Sequence, residues 1–148
     1  MKKYTTTTPI ASCTMCLLIV SSMFLSSCSE NSPETAQDKA RKLLTGTWHV
    51  TNVTIDGVTK NDLFTGFTLT FTPTSYSSSN GEPEWPTAGT WSFTDDTAQS
   101  IVRDDDTVVG ITSLTDGNVT LTLPWDQIIL GGGRTHSTSG DFVFEFSR

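Results

Sequence analysis

Few side chains in this 148-residue chain are placed to do covalent chemistry. Only His49 and His136 could act as bases near neutral pH, and neither belongs to a Gly-x-Ser-x-Gly or His-Glu-x-x-His motif. His49 alternates with Trp48 along an extended segment and so points outward, and no acid–base pair stands out among the sixteen Asp and Glu residues. No catalytic residues are assigned, and the reading is not an enzyme. Asp104-Asp105-Asp106 lacks the alternating carboxylates, turn glycine and distal Glu of a calcium loop, so it reads as a solvated hairpin tip. No metal and no cofactor are expected. Gly131-Gly132-Gly133-Arg134 has the composition of an anion-binding backbone nest, with His136 close by, yet no strand-to-helix context follows, and a plain loop is the reading. What remains is noncovalent binding. Trp85 in Glu84-Trp85-Pro86 and Trp125 in Pro124-Trp125-Asp126 stand in turn-rich segments outside the alternating core pattern. Exposed rings there would suit sugars and apolar ligands, whereas rings folded back would cover the end of a core. Trp85, Trp125, Arg134 and His136 are therefore the candidate ligand contacts.

The chain opens with basic Met1-Lys2-Lys3, followed by an apolar stretch that peaks at Met15-Cys16-Leu17-Leu18-Ile19-Val20 and resumes at Met23-Phe24-Leu25. Ser21-Ser22 interrupts it, which leaves it short of the roughly 20 apolar residues of a spanning helix and gives it the form of a cleaved signal peptide over 1–27. Cys13-Thr14-Met15-Cys16 lies inside that segment, so its redox-like spacing carries no weight. Removing the leader takes Lys2 and Lys3 and leaves seven Lys and Arg against sixteen Asp and Glu, a formal charge of −9. Such a surface repels nucleic acid and anionic lipid. Residues 28–45 read as a tether and one short helix. Ser32 could cap it, Pro33 fits the first turn, and Ala36, Ala40, Leu43 and Leu44 fall at helical spacing.

From Gly46 to Arg148 the pattern changes to apolar residues alternating with Thr or Ser, as in Phe67-Thr-Leu69-Thr-Phe71, Val119-Thr-Leu121-Thr-Leu123 and Phe142-Val-Phe144-Glu-Phe146. Asp95-Asp96, Asp104-Asp105-Asp106 and Asp116-Gly117 punctuate it as hairpin turns. The spacing predicts strands over 47–55, 65–72, 75–79, 87–94, 99–103, 107–113, 118–124 and 139–148. The first carries a phase switch between Trp48/Val50 and Val53/Ile55 that a β-bulge would produce. Eight short antiparallel strands in order make an all-β, up-and-down barrel, wide enough either to fill itself with side chains or to hold one small ligand.

Two resemblances follow from these residues. Leu25-Ser26-Ser27-Cys28, at the end of the signal segment, resembles the lipobox of bacterial lipoproteins, which implies cleavage before Cys28, diacylglycerol on its sulfur, palmitate as a further chain of the anchor, and a membrane as partner. Ser29 after that cysteine implies the outer membrane of the cell envelope, with the facing side left open. Gly46-Thr47-Trp48, opening the first strand after a short helix, is similar to the Gly-x-Trp motif of lipocalins, in which a last-strand Arg packs over the Trp; Arg148 holds that place here. The chain thus resembles the lipocalin-like domains of bacterial lipoproteins over roughly Leu43 to Arg148. In such a barrel the loops 56–64, 80–86, 104–106 and 125–138 share the end opposite the tether. The resemblance implies a membrane-anchored binding protein for a small apolar or glycan ligand. The alternative is a filled barrel acting as an accessory or interaction subunit of an envelope assembly, its protein partner unknown.

Overall fold

β-Branched and aromatic residues alternating with Thr and Ser give strands with one apolar and one solvated face, and the face must find a partner. The computed structural model shows how. It describes residues 33–126 and 139–148, so the signal segment, Ser32, Cys28, Arg134 and His136 lie outside the described residues. Helix α1 (Ala36–Leu44) is followed by β1 (Gly46–Ile55), β2 (Val58–Thr59), a 3-10 turn (Asn61–Phe64) and β3 (Thr68–Phe71). Then come β4 (Ser75–Ser79), β5 (Ala88–Phe93), β6 (Ser100–Arg103), β7 (Val108–Leu114), β8 (Asn118–Trp125) and β9 (Gly140–Ser147). From β3 to β9 each strand pairs antiparallel with the next, β1 pairs with both β3 and β9, and the eight strands close into an up-and-down barrel. The two-residue β2 only folds back on the end of β1.

The expected bulge is present. The register of β1 against β9 shifts between Val50 and Asn52, which lets Trp48 on one side and Val53 and Ile55 on the other all face inward. The polar strand β4 forms because its inward hydroxyl is satisfied: Ser78 Oγ donates to the carbonyls of Trp85 (3.0 Å) and Pro86 (2.9 Å).

The helix differs from expectation at its start. Thr35, not Ser32, is the N-cap: its side chain accepts from Asp38 N, and Asp38 accepts from Thr35 N. This reciprocal capping box needs a polar residue three places after the cap, which Asp38 supplies to Thr35, while Pro33 stays ahead of the helix. Arg41 lies 5.0 Å from the Trp91 ring and 5.2 Å from Phe93, pinning α1 to the barrel. Leu44 is fully buried; Leu43 is only partly so.

At this closed end the guanidinium of Arg148 sits 4.2 Å from the Trp48 ring and donates to the carbonyls of Leu43 and Thr45. Trp48 Nε1 in turn donates to Leu44 O at 2.8 Å. Gly46, Trp48 and Arg148 therefore join the first strand, the last strand and the helix. The architecture is consistent with a lipocalin-like fold.

Candidate functional site

The turns β1–β3, β4–β5, β6–β7 and β8–β9 all fall at the end away from Trp48, because β4 is a true strand and parity holds. Trp85, in the β4–β5 turn, does not stand at the rim. Its N–H donates to Gly81 O at 2.9 Å, and this tight turn throws the side chain back into the barrel, where it is 0% exposed. The ring packs edge-on against Phe71 (6.3 Å), Tyr76 (5.7 Å) and Phe144 (6.3 Å) and tilted against Phe67 (6.4 Å). Phe64 closes over the same cluster, edge-on to Phe142 and Phe144. Of the two readings open for Trp85, the structure has the ring folded into the core.

Beside this aromatic plug lies a buried charge that the sequence reading passed over. Arg103 is 2% exposed; its Nε and Nη2 donate to Asp105 (3.2 and 2.7 Å) and its Nη1 to Glu84 O (2.7 Å). The guanidinium also lies 5.0 Å from the Trp85 ring and 6.0 Å from Tyr76. A signal was there to read: Arg103 follows Ile101 by two residues on β6, which sends both side chains to the same, inner face. Tyr76 Oη and Trp85 Nε1 are buried without a hydrogen-bond partner among the described residues. Burial raises the Tyr76 pKa above its ordinary value, against the pull of Arg103. The phenol therefore stays protonated near neutral pH.

Trp125, the last residue of β8, is 6% exposed and borders an open rim pocket of about 440 Å³ with Asp56, Asp126 and Asp141. Asp56 stands at φ 50° and accepts from Asp141 N at 2.9 Å, which ties the ends of β1 and β9 together at the rim. Trp85 and Trp125 thus share one end of the barrel but not one site. His49 is exposed on β1, as its alternation with Trp48 requires. Among the described residues no three His, Cys, Asp or Glu converge in a metal-binding group, and no helix is long and apolar enough to cross a membrane. No family model matches the sequence, and no match was found among curated proteins or solved structures.

Proposed function

We propose that this chain is a lipid-tethered barrel of the bacterial envelope that works through its outer surface, as an accessory or interaction subunit, and not by enclosing a ligand. The observation that carries this reading is Trp85, whose ring occupies the lumen among Phe67, Phe71, Tyr76 and Phe144. An eight-stranded barrel has room for side chains or for one small ligand, and here indole and phenyl rings take that room. Tethering rests on the Leu25-Ser26-Ser27-Cys28 motif and the apolar segment before it.

A second reading, ligand capture at the rim, is favoured by the pocket beside Trp125, which falls within the ordinary range of small-molecule sites, about 300–1,000 Å³. One pair of measurements separates the readings. The mature domain is screened against fatty acids, isoprenoids, bile acids and oligosaccharides by thermal shift. A ligand present at about 100 times its Kd would add about 2.7 kcal/mol. The proposal expects no stabilisation across the screen, and a reproducible upward shift abolished by Trp125→Ala would instead establish rim binding. In the same strain, palmitate labelling and membrane fractionation of wild type and Cys28→Ser test the tether. Loss of both in the variant is expected, and unchanged labelling would overturn it.

A further inference from the structure

The β4–β5 turn that carries Trp85 begins with Asn80-Gly81, and Asn80 is the one asparagine of the chain that a glycine follows. That pair has a chemistry of its own. A main-chain nitrogen can attack the side-chain carbonyl of the asparagine before it, and a glycine at the attacking position puts no Cβ in the way. Asn80 is exposed just beyond β4, at φ 61°, and its amide is held among the described residues only by a long bond from Nδ2 to Gly66 O, 3.3 Å. The Gly81 N–H donates no hydrogen bond to any described residue. Nucleophile and electrophile are therefore both lightly restrained, and water reaches the amide. The rest of Gly81 is tightly held: its O accepts from Trp85 N at 2.9 Å, and a Cβ there would stand 2.5 Å from Phe67 Cε2 and 2.9 Å from Trp85 Cβ.

We propose that Asn80-Gly81 is a site of spontaneous deamidation, and that its product loosens the aromatic plug. Gly81 N bonds to Asn80 Cγ, the Cγ–Nδ2 bond breaks, and ammonia leaves with the proton that Gly81 N gives up, which closes a cyclic imide. Water then opens the imide at either carbonyl. Opening at Cγ leaves an aspartate at position 80, whose carboxylate faces the acceptor Gly66 O where the amide had donated. Opening at the main-chain carbonyl leaves an isoaspartate, in which the backbone runs through Cβ and Cγ and is longer by one carbon just ahead of Gly81. The contacts of Gly81 with Phe67 and Trp85 leave no room for that extra length, so Trp85 is displaced. Asp56-Gly57 and Asp116-Gly117 can close the same ring only from a carboxyl that is ionised at neutral pH and a poor electrophile, so they lag behind. The inference needs neither the tether nor a partner.

The mature chain is aged for weeks in mildly alkaline buffer, digested and mapped by mass spectrometry, with an isoaspartyl methyltransferase and a labelled methyl donor marking the isomer. Conversion at Asn80 is expected ahead of Asn52, Asn61 and Asn118 and ahead of both Asp-Gly pairs. The effect on the plug is read by acrylamide. All four tryptophans are at most 6% exposed, so the fresh domain should be quenched little. Quenching should rise in step with isoaspartate while the far-ultraviolet circular dichroism is retained. Asn80→Gly keeps a residue suited to positive φ and removes the amide, so on ageing it should show no rise. Conversion at another asparagine first, isoaspartate without added quenching, loss of the whole far-ultraviolet signal, or an equal rise in Asn80→Gly would each overturn the proposal.

Discussion

The unpaired polar atoms of the core make sharper predictions than the paired ones. Among the described residues Tyr76 Oη is buried without a partner, so the hydroxyl has been desolvated with no bond in return. Tyr76→Phe keeps the ring contacts with Phe71 and Trp85 and removes only that cost. It is expected to leave stability unchanged or raise it by about 1 kcal/mol, whereas Trp85→Ala, which empties the lumen, should cost about 3–5 kcal/mol. Urea unfolding of the two variants checks this contrast. A Tyr76→Phe domain markedly less stable than wild type would mean that the hydroxyl has a partner after all.

At the level of elements, the β4–β5 turn decides whether the barrel is filled, and Gly81 decides the turn. A Cβ at Gly81 would stand 2.5 Å from Phe67 Cε2 and 2.9 Å from Trp85 Cβ, both parts of the plug. Neither ring is free to retreat, because each is packed on further rings. Gly81→Ala is expected to cost about 1–3 kcal/mol, the range for overpacking, and to shift the near-ultraviolet circular dichroism of Trp85; an unchanged melting curve would contradict it. The strands themselves were legible in the sequence, since period-two alternation fixes both their extent and the face each presents, down to the bulge after Val50. The place of Trp85 was not. Its position in a turn depends on Gly81 O, Ser78 Oγ and Arg103 meeting it from three segments, and such contacts leave no local pattern. Trp125, by contrast, continues the inward series Val119, Leu121, Leu123 on β8, a regularity that its flanking Pro124 and Asp126 disguise. The helix cap was misplaced for a similar reason: Ser32 and Thr35 are both good caps, and only the bond from Thr35 N to Asp38 separates them.

For the molecule as a whole, the Arg103–Asp105 pair couples stability to pH. Burial alone would raise the Asp105 pKa, but hydrogen bonds from Arg103 and Thr107 outweigh it and hold the carboxyl below its ordinary range. A group whose pKa is depressed on folding stabilises the folded state above its unfolded pKa, near 3.9, and loses that contribution as pH falls through the folded value. Stability should therefore drop below about pH 4. Asp105→Asn, which takes the Asp105 charge away from the buried Arg103, should be less stable than wild type at pH 7, with the gap narrowing towards pH 3. Asp38 and Asp95 are shifted the same way by Thr35 and Thr97, but at the surface, where water screens them. Urea midpoints at the two pH values decide the matter, and a gap that stays constant would remove Asp105 from the account. The closure of the barrel carries one more consequence. From β3 to β9 every strand pairing joins neighbours in sequence, whereas β1 meets β9 across nearly the whole domain, as the bond from Thr51 Oγ1 to Glu145 O, 94 residues apart, makes plain. Hairpins of this kind form on their own within microseconds, but the β1–β9 seam must first bring distant segments together, at about 2 kcal/mol more loop entropy than a ten-residue turn. Folding of this domain is then a race that the hairpins finish early and the seam finishes last, with the phenylalanine-rich face of β9 open to other chains until it does.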